Sequence, residues 1–400
     1  MLAATTCCAP AVCGQTAVGD SGARPVILTF SYTGELVQNA GGGARRGTTF
    51  AGAAGGEFTL LLRRLVGWHG ARIFVFALGT HGGAPSDLVG DVQGVSNLEA
   101  PAAVRLEEAW LQQNLLDNRL SWLVGRYDLN TEFYRLQSGA LFINSSFGIG
   151  PEFAHSGVAG PSIFPNTAVG TRVDFKPSPN VVWRAAVLDG VPVDRPGAGI
   201  RVFKQGDGAL VVAEVALLAR PDTVGVPRHR RFGIGRGQAR PYVGKVALGA
   251  WYYTARFPDL VDTLPNGAAV EHRGSRGAYL IGDLMVRSLT AFAQLGLGDG
   301  RVNQIGGYLG GGLTLTAPLP SRAQDALGLA VAAARNGSHY ERTQTAAGAA
   351  AGETTVELTY LAQFGSWLTV QPDAQYVIHP GGTRTTRNAV VSGLRIALSY

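Results

Sequence analysis

From about Val26 onward, apolar and polar residues alternate in short runs and do not recur at helical spacing. In 355–363 one face carries Val356, Leu358, Tyr360 and Ala362, and the other Thr355, Glu357, Thr359 and Gln363. In 368–378, Leu368, Val370, Ala374, Tyr376 and Ile378 oppose Thr369, Gln371, Asp373 and Gln375. The last stretch sets Val390, Leu394, Ile396, Leu398 and Tyr400 against Gly393, Arg395 and Ser399. A period of two marks strands with one oily and one wet face. The pattern predicts strands near 26–37, 54–66, 69–80, 104–114, 119–129, 167–176, 181–189, 209–219, 242–255, 276–287, 289–297, 305–316, 326–335, 353–363, 367–378 and 388–399. Their length suits a tilted crossing of a bilayer.

The connections alternate between brief and long. Brief ones are expected at Gly67-Trp68, 115–118, 177–180, around Ser288 and at 364–366; long ones at 38–53, 81–103, 130–166, 190–208, 256–275 and 336–352. Short turns on one side and long loops on the other are the outer-membrane rhythm. Two connections break it: 220–241 is long, proline-rich and basic where a turn is due, and 298–304 is short where a loop is due.

Composition separates a membrane barrel from a soluble sheet. Only 16% of residues are charged, against about a quarter in ordinary domains. No run reaches the ~18 apolar residues of a spanning helix. A closed barrel has no open edge and satisfies its backbone in lipid. The expected architecture is therefore all-β: a transmembrane antiparallel barrel of about sixteen strands over 26–400, with long extracellular loops partly folded into the lumen. Residues 1–25 read as a leader remnant or disordered segment that holds all three cysteines, Cys7, Cys8 and Cys13.

The net charge of +6 comes from scattered arginines, with one cluster at Arg228 to Arg231, Arg236 and Arg240 that has little aromatic interleaving. Nucleic acid is not an expected partner. No G-x-S-x-G, H-E-x-x-H or Walker loop occurs, so neither enzyme chemistry, nor a cofactor, nor a metal is expected.

Ordered motifs then point to a family. They include Tyr32-Thr33-Gly34-Glu35, Gly67-Trp68-His69-Gly70, Gly90-Asp91-Val92-Gln93 and Ser96-Asn97-Leu98-Glu99-Ala100. Further on come Arg105 to Gln113, Gly125-Arg126-Tyr127-Asp128-Leu129-Asn130, Phe142-Ile143-Asn144-Ser145-Ser146-Phe147-Gly148, Gly249-Ala250-Trp251-Tyr252 and Gln371-Pro372-Asp373 through His379-Pro380-Gly381. In this order, from about Phe30 to the C-terminus, the chain resembles the OprB-type carbohydrate-selective porins. The resemblance implies a sixteen-stranded outer-membrane barrel that passes monosaccharides and small polyols by facilitated diffusion. Departures from the family pattern are a final tyrosine (Tyr400) where phenylalanine is usual, the long 220–241 segment, and the lack of a recognisable leader.

A sugar channel needs a constriction with aromatic faces and polar donors and acceptors. The richest such density lies at 104–135. Alternation on 119–129 puts Trp122, Arg126 and Asp128 on one face, expected inward because charge on the lipid face is costly. On 104–114, Glu108, Trp110 and Gln112 are expected inward, with Arg105 in the same stretch. Glu35, Arg172, Asp174, Arg184 and Arg395 are further lumen candidates, for which plain solvation of the wall is the simpler role. Loops 81–103 and 130–166 are both candidates to narrow the pore. A general or anion-preferring porin, or a barrel that scaffolds an enzyme or adhesin, are the alternatives. Small carbohydrates as solutes, outer-membrane lipid and the barrel-assembly machinery are the expected partners, and either a monomer or a homo-trimer is open.

Overall fold

A computed structural model describes residues 25–192, 203–220 apart from 205, 242–344, and 348–399 apart from 349. The expected leader and the 228–240 basic cluster lie outside these residues. Sixteen antiparallel strands close into one barrel, each bonded to its neighbour in sequence and the first to the last. They are β1 Val26–Gly43, β2 Gly47–Leu61, β3 Ala71–Gly82, β4 Ala103–Leu115, β5 Leu120–Tyr127, β6 Ala168–Ser178, β7 Val181–Asp189 and β8 Ala209–Ala219. The second half holds β9 Gly244–Thr263, β10 Ala269–Val286, β11 Leu289–Gly298, β12 Ile305–Thr316, β13 Ala326–Asn336, β14 Gly352–Phe364, β15 Leu368–Ile378 and β16 Arg387–Ser399. Among the described residues, four short α-helices lie between strands: α1 Leu62–Val66, α2 Ser86–Val89, α3 Pro151–Ala154 and α4 Ser338–Thr343. The seam is in register from Ser31↔Ser399 through Asn39↔Val391, so Glu35 meets Arg395 across it.

The burial pattern follows from the solvent on each side. Along β9, Lys245, Ala247, Gly249, Trp251, Tyr253, Ala255 and Phe257 point inward and are buried, while Val246 and Leu248 point outward and are exposed. The same outward row continues as Leu295, Leu297, Leu329, Val331, Leu358, Leu394 and Ile396. An apolar outward row over an interior that carries the polar side chains is the pattern of a barrel wall built to face lipid.

All sixteen expected strands exist, but two expected loops are sheet. Val37 to Asn39 pair with 47–49, which leaves 44–46 as the β1–β2 connection. Strands β9 and β10 run on to Thr263 and from Ala269. Toward the outer rim the outward residues are themselves polar, as at Gln38, Thr48, Arg256 and Asp262, so the apolar half of the alternation fades while pairing continues. The 299–304 connection is short, as read from the sequence. The 221–241 stretch lies outside the described residues.

Candidate functional site: a lumen filled by two inserted segments

The β5–β6 connection turns into the barrel, and the wall holds it by its backbone. Glu357 of β14 accepts from the amides of Ile143 (2.7 Å) and Asn144 (2.9 Å). Glu214 of β8 accepts from Tyr134 N–H (3.0 Å), and Lys245 of β9 donates to the Arg135 carbonyl (2.9 Å). Gln371 donates to Leu141 O, Gln294 to Phe147 O and the Tyr308 hydroxyl to Ser146 O. Glu132 takes both Nε and Nη2 of Arg172, at 2.7 and 3.0 Å. These ties reach around the wall from β6 to β15. The segment's aromatic residues Phe133, Tyr134, Phe142, Phe147 and Phe153 are each at most 2% exposed, which gives the inserted chain a core of its own. Two wall glycines make room for it. A Cβ at Gly328 would lie 2.8 Å from Leu141 and Phe142, and one at Gly296 would overlap the Glu152 carboxylate.

The β3–β4 connection enters as well. Glu353 of β14 accepts from Val92 N–H, Gln93 N–H and, from the β15–β16 connection, Gly381 N–H. Gln375 donates to Val95 O, and Ser96 donates to Glu35. Asn97 N–H donates to Ile143 O at 2.9 Å, so the two inserted segments also bond to each other. Both long loops expected to fold into the lumen do so.

The inner face of the wall carries a ladder of three cross-strand pairs between β3 and β4: Arg72↔Gln112, Phe74↔Trp110 and Phe76↔Glu108. Arg72 donates to Gln112 at 2.6 Å and lies 5.2 Å over the Trp110 ring. Phe74 stacks on Trp110 with centroids 4.9 Å apart, and Trp110 Nε1–H donates to Glu108 at 3.1 Å.

A family model described as "Carbohydrate-selective porin, OprB family" matches residues 45–400. The chain belongs to the OprB family of carbohydrate-selective porins. Porin B of Pseudomonas aeruginosa is 24% identical over 92% of this chain and 86% of its own length. The high-pH structure of Pseudomonas putida OprB superposes with a TM-score of 0.81 at 22% identity, covering 94% of each chain. Its low-pH structure gives 0.56 at 16% identity, with 94% of this chain and 93% of that one covered. The protein is thus a carbohydrate channel of the bacterial outer membrane and not an enzyme.

Within this porin the sequence-derived residues fall into three groups. Glu108, Trp110 and Gln112 face inward together, as expected. Arg105 also faces inward but near the outer rim, where its guanidinium bonds Thr80 and the Pro101 carbonyl. Glu35 is buried and paired with Arg395 (Nε–Oε2 2.9 Å), and the charged residues Arg172, Asp174 and Arg184 are likewise inward and ion-paired.

The third group corrects the expectation for β5. Trp122 is 43% exposed and points outward, where its Nε1–H donates to Thr171. Arg126 shares that outer face, bonded to Thr167 at the rim end of the strand. Ser121, Leu123 and Tyr127 are the inward residues. Asp128 is inside, but past the strand end, where it caps Asn130 N–H. The inward face of β5 meets protein and not water: Leu123 and Tyr127 pack in one cluster with Leu129 and Phe133. A rule that sends charge to the lumen fails where the lumen is filled by an apolar insert. Sequence reasoning missed Arg72, Phe74 and Phe76, because both faces of β3 are mostly apolar; only Arg72 and Thr80 mark the inner one.

Proposed function

We propose that monosaccharides and small polyols pass along the inner face of β2 to β4, beside the Arg72–Gln112, Phe74–Trp110 and Phe76–Glu108 ladder. The observation that carries this reading is the ladder itself, whose aromatic and polar side chains face inward side by side on two adjacent strands. There an indole, a guanidinium, an amide and a carboxylate stand within one short stretch of wall, the groups that suit sugar faces and hydroxyls. Their mutual bonds keep them pre-positioned, and binding weak enough for release follows from the bonds already made.

The anion-preferring alternative gains no support. The ion-paired arginines Arg172, Arg184 and Arg395 are each held by an inward carboxylate, and Glu353 and Glu357 add inward acids that accept backbone amides. Lipid covers the outward leucines and valines, and the barrel-assembly machinery inserts the chain. A homo-trimer suits the outward strip of β1 to β3, where exposed Phe30 and Phe50 lie over Gly56 and Gly34; cross-linking in native membranes tests it.

Liposome swelling with glucose and a size-matched non-sugar osmolyte tests the route. Trp110→Ala and Arg72→Gln should each reduce the advantage of glucose over the osmolyte. An unchanged ratio in both variants places the route elsewhere.

A further inference from the structure

At the external mouth, three chain segments bring two carboxylates and two imidazoles together. Asp259 and Asp262 lie near the outer end of β9, His272 on β10 and His339 on α4, in the β13–β14 connection. His272 Nε2 lies 2.7 Å from Asp259 Oδ2, and His339 Nδ1 lies 2.9 Å from Asp259 Oδ1. The Asp259 carboxylate is fixed further by the amides of Val261 and Asp262, both at 2.8 Å. Ligand atoms of Asp259, Asp262 and His339 all fall within 4.8 Å of one another. None of these residues belongs to the solute route.

We propose that Asp259, Asp262 and His339 form a site for a divalent transition metal of the zinc class, which clips helix α4 to the β9–β10 hairpin across the channel mouth. The donor set favours such an ion over calcium or magnesium, which take all-oxygen shells. Two carboxylates and one imidazole with a water in the fourth place make a tetrahedral shell with bonds of about 2.0–2.2 Å. Asp262 is the ligand that moves in to close the shell. Its carboxylate is half-exposed and only 3.6 Å from the equally exposed Arg342, a loose pair that releases easily. His339 supplies Nδ1 once its proton sits on Nε2. His272 stays outside the shell and orients Asp259 through Oδ2, the arrangement common around metal-bound carboxylates. Beside Arg342, two carboxylates leave the cluster one negative charge when both imidazoles are neutral, which a dication reverses.

The test is a cobalt titration of the EDTA-treated, detergent-purified full chain, read by visible absorption and followed by displacement with zinc. The wild type should develop the intense band of tetrahedral cobalt, and zinc should bleach it. His339→Ala and Asp262→Asn should each abolish the band, and His272→Ala should weaken binding by about 10–100-fold, as loss of an orienting partner does. Migration as a folded barrel in unheated gels confirms each variant, and the half-exposed Asp262 gives a variant with little reason to misfold. A wild type that stays colourless, or a band that survives either ligand substitution, overturns the proposal.

Discussion

Arg172 of β6 and Glu132 of the inserted segment meet fork to fork, at 2.7 and 3.0 Å, with the arginine fully buried. The same carboxylate accepts the Tyr127 hydroxyl at 2.6 Å and has Arg184 at 3.8 Å. A buried pair of this kind is costly to break from one side, because the remaining charge is left without its partner. Arg172→Met should therefore lose about 3 kcal/mol, measured by urea unfolding in lipid vesicles. The double variant with Glu132→Leu should lose less than the two single changes added together. Additive losses would show that the two side chains act independently.

Glu357→Leu removes the acceptor shared by the Ile143 and Asn144 amides. Each buried amide left unbonded costs about 1–3 kcal/mol. The other wall ties keep the insert inside, so the expected result is a folded barrel with noisier single-channel current and weaker discrimination between glucose and a size-matched osmolyte. A quiet trace with unchanged discrimination would rule out this clamp as a determinant of the constriction.

Trp122 faces away from the pore. Trp122→Ala should leave sugar flux at the wild-type rate and lower stability by about 1 kcal/mol through the lost Thr171 bond and outward packing. A flux defect in a normally folded Trp122→Ala protein would contradict the observed face of β5.

Glu152 sits on α3 inside the barrel, where burial pushes its carboxyl up to about 7. The Tyr134 hydroxyl, at 3.0 Å, opposes that shift. In the folded barrel the group holds its proton to a higher pH than the unfolded chain does. Stability from this residue is present below about pH 4.5 and is lost as pH rises through about 7. Glu152→Gln should flatten that part of the stability profile and leave the variant more stable than wild type above pH 7, read from unfolding midpoints between pH 4 and 9. Parallel profiles for the two proteins would refute it.

How much of this was legible beforehand varied with what each residue faces. Strands in contact with lipid announced themselves, since one side of Leu368–Ile378 is apolar and the other is not. The outer ends of β1, β2, β9 and β10 did not, because their outward residues turn polar and the contrast disappears. On β4 the mixed faces still resolved correctly at Glu108, Trp110 and Gln112. On β5 the reading inverted, because Leu123 and Tyr127 are turned inward by contacts with Leu129 and Phe133, which come from the chain that follows. That partner is invisible to periodicity. The inserted segments showed themselves only as length and aromatic content; the carboxylates that hold them lie more than two hundred residues away in Glu353 and Glu357.

The choice of main-chain amides as the grip on the inserts has an evolutionary side. Glu353 and Glu357 bind groups that almost every amino acid possesses, so this part of the hold does not depend on which side chain stands at the gripped position. Selectivity in this barrel is thereby separable from architecture: lineages can rewrite the lining of the passage one residue at a time while the scaffold that narrows it stays put.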